Sequence, residues 1–204
     1  MTAIKICGLT RAEDAEAAVE FGAQALGFVL WEGSPRCIAP ADVRRITQGL
    51  PPFVTRVGVF VNPTADELAR AVSQAEISVA KIHGKVPAFL GDQPPVRILR
   101  AVHLAEGAPD GIEPAVGDAT VLLDAHDPAR HGGTGKTIDW TRAAQVARTR
   151  RVILAGGLTP ENVGEAIRVV TPYAVDVSSG IETRPGVKDH GLLRRFIAGV
   201  KEAV

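Results

Sequence analysis

Cysteine is nearly absent, with only Cys7 and Cys37 in 204 residues. That is too few for the disulfide framework on which small secreted domains depend. Net charge is absent as well, because 23 basic side chains are matched by 23 acidic ones around an isoelectric point near 7.0. This removes the field that would favour nucleic acid or an anionic membrane surface. No apolar run approaches the roughly 20 residues of a bilayer span, and the longest, Ala25 to Trp31, falls far short. Lys5 and Arg11 near the N-terminus have no long apolar stretch between them, so no signal peptide is read. Aromatics are scarce at 4 % while hydrophobic residues make up 46 %, the balance of an aliphatic α/β interior. Together these absences predict one domain over residues 1–204, soluble and cytoplasmic, whose partner is a small molecule and not nucleic acid or a membrane.

What is present is a repeat of strand and helix. The stretch from Ala3 to Thr10 reads as a short strand that delivers Cys7 to a turn at Gly8 and then a helix start, with Thr10 and Glu13 at the spacing of a capping box. Ala25 to Leu30, Val54 to Val61, Ile77 to His83, Val96 to Val102, Ala119 to Asp124, Arg151 to Ala155 and Ala174 to Val177 read as further buried strands. Between them lie helix starts at Pro40, at Thr64 with Glu67, at Asp139 and at Thr159-Pro160, and a short helix is expected between the fourth and fifth strands. The last helix is expected from about Lys188 to Val200. Eight such units predict a parallel (β/α)8 barrel rather than an open doubly wound sheet, because chemically plausible residues follow many strands and not one switch point.

In a parallel barrel the site forms where strands end. Cys7, Arg36, His83, Asp124, Gly156-Gly157 and Asp176 with Ser178-Ser179-Gly180 occupy those positions. Alternation puts Lys5 and Cys7 on one face of the first strand and Ile4 and Ile6 on the other, so the lysine and the thiol face the barrel interior. A nearby ammonium favours thiolate, which makes Cys7 a candidate base and Lys5 a candidate activator. A buried lysine needs a partner, and Asp124 or Asp176 can supply one.

The segments Lys5-Ile6-Cys7-Gly8-Leu9-Thr10, Gly27-Phe28-Val29 with Ser34-Pro35-Arg36, Val57-Gly58-Val59-Phe60, Leu123-Asp124 with Gly132-Gly133-Thr134-Gly135-Lys136 and Asp139-Trp140, Ala155-Gly156-Gly157-Leu158, and Asp176-Val177-Ser178-Ser179-Gly180-Ile181-Glu182 closely resemble the phosphoribosylanthranilate isomerase family. The resemblance implies a cofactor-free and metal-free Amadori rearrangement in tryptophan biosynthesis, on a small phosphorylated substrate, by a monomer or homodimer. It assigns Asp124 as the general acid that opens the furanose ring and Cys7 as the base that takes the proton from the adjacent sugar carbon. It further implies that Arg36 grips the anthranilate carboxylate, that Asp176 accepts from the anthranilate amine, and that Gly156, Gly157, Ser178, Ser179 and Gly180 bind phosphate.

One motif points elsewhere. Gly135-Lys136-Thr137 matches the end of a nucleotide-binding loop, but the leading glycine that spacing demands is Arg130. The stretch from Gly132 to Thr137 is therefore read as a flap over the substrate. Lys81 stands where the family usually has glutamine, and Cys37 is read as a packing residue. The related isomerase of histidine biosynthesis has aspartate at the position of Cys7, which argues against that alternative. A barrel that binds phosphate without catalysis is the reading from another class.

Overall fold

The computed structural model describes residues 1–89, 94–103, 120–124 and 138–203. Within them the aliphatic runs form strands that pair in sequence order, and the eighth closes on the first: β1 Ala3–Ile6, β2 Ala25–Val29, β3 Thr55–Val61, β4 Val79–His83, β5 Arg97–His103, β6 Thr120–Asp124, β7 Arg151–Leu154 and β8 Ala174–Val177. Every pairing in the barrel is parallel. The helices among the described residues are α1 Ala12–Phe21, α2 Pro40–Thr47, α3 Ala65–Ala75, α4 Trp140–Ala147, α5 Val163–Val170 and α6 His190–Glu202.

Alternation along the strands separates two apolar regions. Ile4, Ile6, Leu26, Phe28, Ile82, Val121, Leu123, Val152 and Leu154 point outward and are buried in the core shared with the helices. Each fully buried side chain of this size contributes roughly 1.5–3 kcal/mol. The intervening positions point inward, where Leu99, Leu122 and Ala155, with Val79, Ala101 and Ile153, make a small separate cluster. Above this floor the inward positions become ionic, and Lys5, Lys81, Asp124 and Asp176 are all buried.

Several local expectations give way to tertiary contacts. Thr10 does not cap α1: Arg11 is the N-cap residue without a side-chain bond, and the Thr10 hydroxyl donates to the Gly186 carbonyl at 2.6 Å. The exposed capping box of Thr64 and Glu67 does form, as does the Asp139 cap on Thr141 and Arg142. Thr159-Pro160 does not open α5, because Asn162 accepts from the Thr159 amide at 2.8 Å and donates to the Gly157 carbonyl at 2.9 Å, and the helix begins after it. Neither 84–89 nor 94–96 forms the short helix expected between β4 and β5, where Pro87, Pro94 and Pro95 remove backbone donors.

The last helix also begins later than expected. After β8, a 3₁₀ turn over Ser179–Ile181 leads into a small hairpin, β9 Glu182–Arg184 and β10 Val187–Lys188, and only then does Asp189 cap α6. Gly132 to Thr137 and most of the loop before it lie outside the described residues.

Candidate active site

The strand ends open on a cavity of about 560 Å³ lined in part by Cys7, Arg36, Lys81, His83, Asp124 and Asp176. Gly156, Gly157 and Ser178 line it too. Ser179 and Gly180 stand behind this lining: Ser179 starts the 3₁₀ turn, and a Cβ on Gly180 would fall 1.9 Å from the Leu158 carbonyl oxygen. Their glycine and serine loop is thereby packed directly onto the loop that follows β7. Gly156 and Gly157 both have positive φ, 86° and 62°, a backbone conformation that glycine adopts without strain.

Cys7 follows β1 and is buried. Its amide donates to the Val177 carbonyl at 2.8 Å. Gly27 of β2 makes room for it, since a Cβ there would lie 2.8 Å from both Cys7 Sγ and Lys5 Nζ. Thiol and ammonium thus share one small space, as the parity of the strand predicts. The ammonium is nevertheless committed elsewhere, donating to Asp176 Oδ1 at 2.7 Å.

Asp176 is the hub of the interior ion pairs. Its second oxygen accepts from Lys81 Nζ at 3.3 Å, and Lys81 also reaches Asp124 Oδ2 at 3.4 Å. Burial works against the Asp176 carboxylate, but Lys5 and then Lys81 outweigh it and hold its pKa below the ordinary aspartate value. Burial likewise works against the Lys81 ammonium, while Asp176 and Asp124 outweigh it and hold it above the ordinary lysine range. The lysine that departs from the expected glutamine is therefore held as a cation between Asp176 and Asp124.

Removing one partner from such a set leaves buried charge uncompensated. Asp176→Ala is expected to lower unfolding stability by about 3–5 kcal/mol, read from denaturant titration. Because the folded-state pKa of Asp176 is depressed, its contribution is present above the unfolded aspartate value of about 4 and is lost as pH falls through the folded value. Asp176→Asn is accordingly expected to flatten the decline of stability on acidification below about pH 4.

Arg36 enters the cavity from the loop after β2. Its Nε and Nη2 form a two-pronged contact with Glu182, at 3.0 and 3.1 Å from Nε and 2.6 Å from Nη2. Glu182 also accepts from Lys188 Nζ at 2.7 Å, and that ammonium donates onward to the carbonyls of Cys7 at 2.6 Å and Ser178 at 3.3 Å. Burial opposes the Glu182 charge, but Arg36 and Lys188 outweigh it and hold its pKa below the usual carboxylate range. Burial pushes Lys188 down, with Glu182 pulling back. Sequence reasoning gave Glu182 no role and placed Lys188 at a helix start; the signal for the hairpin that holds both was the dipeptide Pro185-Gly186. Cys37, expected to pack, is exposed.

A closed parallel barrel with carboxylate, thiol and cationic side chains gathered at its strand ends is the architecture of a (β/α)8-barrel enzyme, its site at the usual face. Comparison with known proteins narrows the class. Residues 4–199 match the family model described as N-(5'phosphoribosyl)anthranilate (PRA) isomerase. An N-(5'-phosphoribosyl)anthranilate isomerase of Geobacter sp. (strain M21) is 45 % identical over 203 residues, covering 99 % of each chain. Among solved structures, a phosphoribosyl anthranilate isomerase from Thermus thermophilus superposes with a TM-score of 0.84 at 39 % identity, covering 100 % of both chains. Another, solved in complex with reduced 1-(o-carboxyphenylamino)-1-deoxyribulose 5-phosphate, gives a TM-score of 0.79 at 35 % identity, covering 99 % of this chain and 100 % of the other. The chain belongs to the phosphoribosylanthranilate isomerase family, isomerases of tryptophan biosynthesis.

Proposed function

We propose that the chain converts N-(5-phosphoribosyl)anthranilate to 1-(o-carboxyphenylamino)-1-deoxyribulose 5-phosphate by an Amadori rearrangement, with Asp124 as general acid and Cys7 as general base. The observation that carries this reading is that Cys7, after β1, and Asp124, at the end of β6, line one cavity, which supports their acting on one bound sugar. Asp124 gives a proton to the furanose ring oxygen as the bond from that oxygen to the anomeric carbon breaks, leaving an iminium between that carbon and the anthranilate nitrogen. Cys7 as thiolate takes the proton from the neighbouring carbon, and its electron pair neutralises the iminium to give an enolamine. Tautomerisation moves the enol proton to the former anomeric carbon and leaves the ketone.

The surrounding charges suit these steps. Lys81 lies 3.4 Å from Asp124 and stabilises the carboxylate left when Asp124 has given up its proton. The substrate phosphate fits the amides of Gly156, Gly157 and the Ser178-Ser179-Gly180 turn, in the position where such barrels commonly hold phosphate. Asp176 accepts from the anthranilate amine, and Arg36 donates to its carboxylate.

Turnover followed by loss of substrate fluorescence tests the activity, and its absence in the wild-type protein contradicts the reading. Arg36→Ala is expected to raise KM by about tenfold or more with a smaller change in kcat, the pattern of lost ground-state binding. An unchanged KM contradicts the carboxylate role.

A further inference from the structure

A guanidinium offers two edges for a planar anion, Nε with Nη2 along its side and Nη1 with Nη2 at its end. Glu182 takes the side edge of Arg36 with both carboxylate oxygens, so Nη1 and the outer hydrogen of Nη2 are not part of that contact. The Glu182 side chain is 4 % exposed and that of Lys188 is fully buried, whereas Arg36 lines the cavity. Glu182 is fixed in its turn by Lys188 Nζ at 2.7 Å and by the Gly186 amide at 3.3 Å. Lys188 then ties the same unit to the carbonyls of Cys7 and Ser178. The close fit of these parts shows at Gly8, where a Cβ would stand 2.6 Å from Arg36 Cδ and 2.7 Å from Ser178 Oγ.

We propose that Glu182 is a positioning residue that holds Arg36 with its Nη1–Nη2 end toward the cavity, and so sets the affinity of the site for the carboxylate on the substrate's aromatic ring. This rests on the reading of Arg36 as the carboxylate grip. Arginine has several rotatable bonds, and a side chain already held in its binding geometry loses less freedom when the ligand arrives. The carboxylate of Glu182 therefore acts on substrate binding through Arg36, while the chemistry at Cys7 and Asp124 proceeds without touching it.

A double-mutant cycle on steady-state kinetics with phosphoribosyl anthranilate tests the proposal. Glu182→Gln is expected to raise KM about tenfold with kcat changed by less than about threefold, and to add no further rise in KM on an Arg36→Ala background. A rise in KM of the same size on that background means that Glu182 acts independently of Arg36, which overturns the proposal. An unchanged KM in Glu182→Gln, when Arg36→Ala does raise it, overturns this proposal and leaves the role of Arg36 standing. An unchanged KM in Arg36→Ala itself overturns both. Glu182→Asp, which keeps the charge that Lys188 requires, covers the case in which the amide variant does not fold; it is expected to raise KM in the same sense, and an unchanged KM there counts equally against the proposal.

Discussion

Cys7→Ala is expected to lower kcat by at least about a hundredfold, because a positioned general base contributes roughly 10²–10⁴-fold. The fold is expected to survive the change. What Cys7 gives to the structure runs through its backbone, the amide donating to the Val177 carbonyl at 2.8 Å and the carbonyl accepting from Lys188 at 2.6 Å. Alanine keeps both contacts and removes only the sulfur. Circular dichroism and a melting curve close to wild type, alongside the loss of turnover, separate a chemical effect from a structural one.

Asp124→Asn is expected to have an effect of comparable size, at least about a hundredfold in kcat. The amide is nearly the same shape as the carboxyl group, and its oxygen can still accept from Lys81. It cannot deliver a proton of useful acidity to the ring oxygen. The bond between that oxygen and the anomeric carbon then breaks without assistance, and the steps after it are starved of iminium. Near-normal turnover in this variant would remove Asp124 from the mechanism, whatever Cys7 does.

The barrel was legible because its strands are aliphatic runs bounded by glycine and polar residues, and because inward and outward positions alternate. Ile4 and Ile6 lie in the outer core as parity requires, and Lys5 and Cys7 face inward. The same parity left two carboxylates open as partners for Lys5. Closure of β8 onto β1 decides it, setting Lys5 opposite Asp176 in the register, a neighbour 171 positions away in the chain. Local patterns were reliable where solvent surrounds them, as at Thr64 and Glu67. They failed where a tertiary acceptor competes, as at Thr10, whose hydroxyl is taken by Gly186.

The candidate site was legible in its polar side chains and not in their support. Lys188 fits the helical spacing of the residues after it, which hid the hairpin that carries it. The contact of Arg36 with Glu182 spans 146 positions and leaves no trace in spacing. Lys81 stood out only as a departure from a glutamine, yet it is the cation shared by Asp124 and Asp176. The flap read at Gly132 to Thr137 lies outside the described residues.

The central claim is that Cys7 takes the proton from the sugar carbon, and single-turnover kinetics tests it without interference from product release. With enzyme in excess over phosphoribosyl anthranilate, the decay of substrate fluorescence reports the rearrangement itself. The account predicts that at saturating enzyme Cys7→Ala decays at least about a hundredfold more slowly than wild type; decay at the wild-type rate would contradict it.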